Sequence, residues 1–285
     1  MKINKIVKKH KQYPPYLLEI SSIPKELYYL GEIPEDYLPA VTIVGARKIT
    51  NYGKDVTYKL AFDLARLGVT IISGLALGVD GVAHQGAIDA GGRTIAVLAG
   101  GLDEISPPSH RNLAIDILRK NGTILSEYIA CTPALKQNFI ARNRIVSALS
   151  DMTIITESAE RGGSLATANF ALEQNKLVGA VPGNITSSQS VGTNNLIKSG
   201  ATPITCAQDV LDALGLQFES LKREEVFGDT KEEQLIIDLM KEGVTALDQL
   251  QLRSKLDPST FSQTVTMLEI SSKIRPLGAA NWTLK

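Results

Sequence analysis

The sequence predicts an α/β protein, a mostly parallel sheet with helices on both faces, followed by a small, largely helical domain. Three observations carry that reading. From Ala40 onward, short apolar runs rich in β-branched residues alternate with segments of helical period. Those runs are apolar throughout rather than alternating, which marks strands covered on both faces and joined by crossover helices. After Leu214 the alternation stops, and three helical segments with two short strand-like pieces take over.

Each element follows in order. Residues 1–39 carry Pro14, Pro15, Pro24 and Pro34 behind a basic start (Lys2, Lys5, Lys8, Lys9, Lys11), and an irregular entry segment is expected there. That start has no apolar core or cleavage site of a signal peptide. AVTIVGA (Ala40 to Ala46) is a first strand, and Tyr52 to Leu67 an amphipathic helix ending at Gly68. VTIIS (Val69 to Ser73) is a second strand, followed by a helix from Asp80 to Ala90. RTIAVLAGG (Arg93 to Gly101) is a third, with a helix from Arg111 to Lys120. TILS, MTIIT and LVGAV supply further strands, so residues 40–215 make a Rossmann-like domain. An acidic-leaning linker is placed at 216–229. Within 230–285, EEQLIIDLMKEG, TALDQLQLRSKL and PSTFSQTVTMLEI are three helices and KIRPLGAANWTLK a hairpin, the outline of a winged-helix-like domain.

Composition narrows the function. A chain of 285 residues has room for two cores. No apolar run approaches the ~20 residues that span a bilayer, so no membrane association is expected. Cys131 and Cys206 lie far apart and read as reduced thiols of a cytoplasmic protein. His10, His84 and His110 are scattered, and no GxxxxGK[ST] is present, so neither a metal nor a cofactor is expected. Formal net charge is zero, so a nucleic acid must be bound through a local cluster of cations.

Such a cluster is visible. The first strand ends in Gly45-Ala46-Arg47, which puts a guanidinium at a strand's carboxyl end, where open α/β sheets bind ligands and where it can grip a phosphate. Gly74 and Gly78 shape the turn after the second strand, with Asp80 placed to cap the next helix. His84 lies four residues further on the same face, and a cap with a hydrogen-bonded histidine is the expected arrangement. Gly100 and Gly101 offer backbone amides after the third strand. KQNFIARNR sets Lys136, Phe139 and Arg142 at spacings of three, along one helix face. An aromatic among cations suits an unpaired base. Arg142 and Arg144 point in different directions, so one of the two is expected in a structural ion pair. Gly162, Gly163 and Ser164 open a helix whose free N–H groups and dipole favour an anion.

Together these blocks resemble the DprA/Smf family of DNA-processing proteins. The resemblance rests on GAR (Gly45 to Arg47), SGLALGVDGVAHQGAI (Ser73 to Ile88), AVLAGGLD (Ala96 to Asp103), SEY (Ser126 to Tyr128) and FIARNRIVSALS (Phe139 to Ser150). It continues through GGSLATANFAL (Gly162 to Leu172), VPG (Val181 to Gly183) and VGTNNLIKSGA (Val191 to Ala201), eight blocks in one order. It implies a domain that binds single-stranded DNA in a basic pocket, forms a homodimer and loads the RecA recombinase in natural transformation. By motif position it implies pocket roles for Arg47, Lys136, Phe139 and Arg142 above the Gly162-Gly163 turn. It also implies a dimer contact around Asn195, Leu196, Ile197 and Ile204. The chain departs from the family at Gly100, where a serine is usual, and at Ser106 and His110, where tyrosine and asparagine are usual.

Two rivals share the fold, a nucleotide-binding sensor and a phosphoribohydrolase of the LOG type. The latter carries PGGxGTxxE, whose glutamate is catalytic; this chain has Arg161 in place of the proline and Phe170 in place of the acid. Without that acid the protonation step has no source. A binder rather than an enzyme is expected.

Overall fold

The computed structural model describes residues 2–216, 227–271, 273–278 and 281–284. The chain divides into two compact units, 1–218 and 219–285. Most of the linker expected at 216–229, residues 217–226, lies outside the described residues.

In the first unit the chain runs through β1 (Asn4–Val7), β2 (Glu26–Leu30), β3 (Ala40–Val44), α1 (Asn51–Arg66), β4 (Thr70–Ser73), α2 (Val79–Asp89) and β5 (Thr94–Leu98). It continues with α3 (Arg111–Arg119), β6 (Thr123–Ser126), α4 (Lys136–Ala148), β7 (Met152–Ile155) and α5 (Ser164–Glu173). It closes with β8 (Leu177–Ala180), α6 (Val191–Lys198), β9 (Thr202–Pro203) and α7 (Ala207–Ala213). The strands form one sheet in the order β1-β2-β6-β5-β4-β3-β7-β8-β9. From β6 to β9 every pairing is parallel, while β1 and β2 are antiparallel additions.

The continuous apolar runs have the expected cause. Every residue of β3, β4, β5, β6 and β7 is buried. One face is covered by a core containing Leu17, Ile145, Val146, Leu149, Ala168 and Ala171. The other is covered by Leu60, Leu64, Ala83, Ala87 and Val210. Starting at β3 the chain winds outward to β6, then returns to β7 on the other side of β3. Strand order therefore reverses between β3 and β7, the position at which open α/β sheets leave a crevice at their carboxyl edge.

The expected irregular entry segment is overturned. Residues 1–39 supply β1 and β2, which pair antiparallel with each other and then with β6. Tyr13, Leu17, Ile20 and Leu27 of that segment are buried in the main core. The prolines fall between the two strands or after them, so they punctuate the segment without breaking its pairing.

The second unit contains α8 (Lys231–Lys241), α9 (Leu247–Ser254), α10 (Pro258–Ile270) and the antiparallel pair β10 (Ile274–Gly278) and β11 (Asn281–Leu284). This is a winged-helix domain. Thr230 caps α8 by accepting from the Glu233 amide at 3.1 Å, and Asp257 caps α10 with Pro258 at its first position. Ile236, Ile237, Leu250, Phe261, Val265 and Leu268 form a core of its own. Among the described residues no helix is long and apolar enough to cross a membrane.

Candidate nucleic-acid interface

The site gathers at the carboxyl edge of the parallel strands, around the reversal between β3 and β7. Gly45 and Ala46 leave β3 there, and the Ala46 amide donates to the Glu157 carbonyl at 2.8 Å, joining the loops after β3 and β7. Arg47 then stands exposed. Its guanidinium carbon lies 4.9 Å from the centroid of the Phe139 ring. Among the described residues it makes no ion pair and no hydrogen bond. A cation resting on a half-buried ring beside solvent keeps its donors free for a ligand.

Phe139 is carried by α4 and is held from below by Arg142, whose guanidinium carbon lies 5.8 Å from the same centroid. The resemblance implies a pocket role for Arg142, and the structure places most of this side chain inside the protein, beneath Phe139. The side chain is only 4% exposed. Its Nη1 donates to the Gly74 carbonyl at 2.7 Å and to the Val97 carbonyl, and its Nε to Asn143 at 3.3 Å. Burial pulls its pKa down to about 10, against the opposing field of Asp80. A desolvated guanidinium whose Nη1 is taken by two strand-end carbonyls is a bracket, and only its Nη2 is without an acceptor among the described residues.

Asp80 completes the bracket. Its Oδ2 accepts from the amides of Gly74 at 3.1 Å and Ala76 at 3.3 Å. Burial pushes this carboxyl above its ordinary range, while Arg142 and the two amides pull it back. The Gly74 amide is therefore spent inside the protein and does not meet a ligand as expected. Gly74 is needed for a different reason: a Cβ there would come within 2.6 Å of the Arg142 guanidinium.

His84 is hydrogen-bonded as expected, but Asp80 does not cap α2, whose N-cap is Gly78 without a side-chain bond. His84 Nδ1 lies 2.7 Å from Thr94 Oγ1, and that hydroxyl donates to the Ile71 carbonyl at 2.7 Å. Thr94 has thus spent its proton, so Nδ1 is the donor and Nε2 carries the bare lone pair. That Nε2 is buried without a partner. Burial first, then the fields of His110 and Arg142, lower the imidazole pKa to about 3.

Gly100 and Gly101 are buried beneath residues 129–134. The Gly101 amide donates to the Thr132 carbonyl at 2.8 Å, so it offers nothing to an anion. His110 ties the neighbouring turn by donating from Nδ1 to the Leu75 carbonyl at 2.9 Å. Leu75 itself sits at φ 56, a left-handed conformation in a turn that His110 and Asp80 both hold. Nothing in the sequence pattern signalled this contact, because it joins residues 35 apart.

At the α5 end, Gly163 is open to solvent, with nothing within 4 Å of where a Cβ would stand. The amides of Gly163 and Ser164 have no acceptor among the described residues. Gly162 closes a turn onto the Ala159 carbonyl at 3.0 Å. Ser164 is buried and its Oγ donates to Ser158 at 3.0 Å, so it braces the turn instead of contacting solvent. Lys136, exposed at the first position of α4, has no acidic neighbour in that turn. Arg144 is the arginine of the structural ion pair: its Nη2 reaches both oxygens of Glu127, at 2.7 and 2.8 Å. The structure thus leaves Arg47, Lys136, Phe139 and the Gly163 turn facing outward, with Arg142, Gly74, Gly100 and Gly101 as their support.

Of the residues expected at a dimer contact, Ile204 is fully buried in the core and is withdrawn. Leu196 packs in part against the core, whereas Asn195 is exposed and Ile197 half-buried on α6.

Comparison with known proteins adds the following. The family model described as DNA recombination-mediator protein A matches residues 4–215, and the DprA winged helix domain matches residues 222–279. Protein Smf of Escherichia coli K12 is 42% identical over 202 residues, covering 71% of this chain and 54% of its own length. The chain spans about half the length of that relative and of the Synechocystis Smf. The X-ray structure of DprA from Streptococcus pneumoniae superposes with a TM-score of 0.69 at 35% identity, covering 76% of this chain and 75% of that one. The Helicobacter pylori DNA processing protein A, solved for its single-stranded DNA binding mode, gives a TM-score of 0.67 at 34% identity. That match covers 75% of this chain and 95% of the other.

Proposed function

The chain belongs to the DNA recombination-mediator protein A family, and from that premise we propose that it holds single-stranded DNA at the carboxyl edge of its sheet. The observation that carries the reading is Arg47 on Phe139: an exposed guanidinium without an acidic partner against an aromatic ring. The pair matches the two needs of an unpaired strand, a phosphate grip and a surface for a base face. The exposed Lys136, one helical turn before Phe139 on α4, and the open amides of the Gly163 turn add further positive potential. In this reading the protein acts in the cytoplasm, protects incoming strands and passes them to a RecA-type recombinase during DNA uptake. It works as a homodimer that joins two such sites around Asn195, Leu196 and Ile197.

Binding without turnover follows from the carboxylates. Glu157, beside the glycine turn in sequence, is 2% exposed. Its oxygens accept from the Thr50 hydroxyl at 2.5 Å and the Thr50 amide at 2.9 Å. It therefore holds Thr50, the residue that caps α1, and is turned away from solvent. Phe170 stands where a phosphoribohydrolase needs its acid.

The test is fluorescence anisotropy with single-stranded and duplex DNA of equal length over a salt series. The single strand binds more tightly, with little dependence on sequence. Arg47→Ala weakens it and reduces the slope of log K against log salt by about 0.7, one phosphate contact. Phe139→Ala costs about 1–3 kcal/mol of binding. Equal affinity for blunt duplex and single strand overturns the reading.

A further inference from the structure

Tyr52 lies in the first turn of α1, five positions after Arg47 in the same connection. The residue is 48% exposed, yet its ring is not free to swing. The hydroxyl donates to the Pro182 carbonyl at 2.6 Å, pinning the ring to the segment that follows β8. Burial of part of the phenol and the nearby charge of Glu157 raise its pKa, so the hydroxyl remains a donor at neutral pH. Glu157 itself is turned inward onto Thr50. Lys48 and Lys54, four positions before the ring and two after it, are exposed and have no ion pair among the described residues.

An aromatic face that is open to water and immobilised through its polar tip is what a stacking base requires, because little side-chain entropy is lost on contact. The position along the sheet supports the same use. Arg142, beneath Phe139, is bonded to carbonyls at the ends of β4 and β5. Tyr52 is anchored past the end of β8. In the order β4-β3-β7-β8 these anchors are three strand spacings apart, about 14 Å at the usual spacing. Arg47 leaves the end of β3 between them, and the Gly163 turn follows β7.

We propose that Tyr52 is a second stacking platform, so that a single strand threads along the carboxyl edge from Phe139, past Arg47 and the Gly163 amides, to Tyr52. The proposal rests on the reading of Phe139 and Arg47 as a single-strand site.

The experiment measures binding of oligo-dT in a graded length series to the full chain and to Tyr52→Ala, Tyr52→Phe and Phe139→Ala, with a melting curve for each. Tyr52→Ala loses roughly 5- to 100-fold in affinity for long oligomers and nothing for the shortest that bind. Tyr52→Phe, which keeps the ring but loses its tie to the Pro182 carbonyl, loses much less than Tyr52→Ala. In Tyr52→Trp, long oligomers quench the new fluorescence above the constant signal of Trp282. Unchanged affinity of Tyr52→Ala at every length, with Phe139→Ala impaired, overturns this inference alone. Unchanged affinity in both alanine variants overturns the underlying site as well. An equal loss for Tyr52→Ala at all lengths with a lowered melting temperature, or a loss in Tyr52→Phe as large as in Tyr52→Ala, assigns the ring to the fold and overturns the platform.

Discussion

Arg142 and Arg144 sit two positions apart on α4 and have opposite surroundings, which shows what a residue pattern can and cannot convey. The helical spacing distinguished their directions, and Arg144 does form an ion pair, with Glu127. What spacing could not convey is that the direction of Arg142 leads into the protein, because the carbonyls of Gly74 and Val97 arrive from strands 68 and 45 residues away. Removing this guanidinium leaves those carbonyls bare and the Asp80 charge uncompensated. Arg142→Ala should therefore lower stability by about 3–5 kcal/mol, read from denaturant unfolding. Arg142→Lys should still be destabilising, since an ammonium lacks the Nε donor to Asn143 and the planar fork of the guanidinium. A variant that keeps its stability but loses DNA binding would return Arg142 to the pocket surface. His84 gives a pH prediction at the same scale. With a folded pKa of about 3 against an ordinary 6.5, the unfolded chain takes up a proton that the folded chain refuses. Stability is thus fully present above pH 6.5 and is lost as pH falls toward 3, by up to about 1.4 kcal/mol per unit. Unfolding curves between pH 7 and pH 4 check this, and His84→Gln should flatten the profile.

At the scale of elements, the parallel strands were legible because burial on both faces leaves an unbroken apolar run. The segment before Ala40 was not, since β1 and β2 lie on the antiparallel side and each shows only partial burial. Short half-buried strands separated by prolines look like loop in a sequence. The α6 region was half legible. Its apolar residues stood out, but Ile204 had been claimed by the core and Leu196 is shared with it. A dimer contact on α6 therefore has to be probed at Asn195 and Ile197. Asn195→Arg with Ile197→Arg should shift sedimentation toward the monomer while leaving the melting temperature within a few degrees. It should also abolish the steep gain in affinity with oligomer length that two linked sites produce. A dimer that survives both substitutions places the contact elsewhere.

For the whole molecule the question is what the second unit adds. In a winged-helix domain the third helix is the usual reader of a DNA groove. Here that helix, α10, exposes Ser259, Ser262, Gln263, Thr266, Met267, Glu269 and Ile270, with no lysine or arginine along its length. A helix without a cation cannot release counterions from the phosphate backbone. Truncation after residue 218 should leave the affinity for single-stranded DNA and its salt slope unchanged in the same anisotropy assay. A flattened slope would show that cations of the second unit contribute.

The sheet of the first unit finishes at one side in β9, two residues long with Pro203 as its last, and at the other in β1, whose Lys5 pairs with Glu26 at 2.7 Å. A proline has no amide to offer a neighbour, and a charged, short margin is a poor template for a further strand. Both margins thus disfavour the addition of one copy's sheet to another's. Under the proposed function, copies gathered on one long strand would bring such margins to high local concentration, the condition under which exposed strands seed fibres. Blunt margins at both sides let the copies be packed and released again without that hazard.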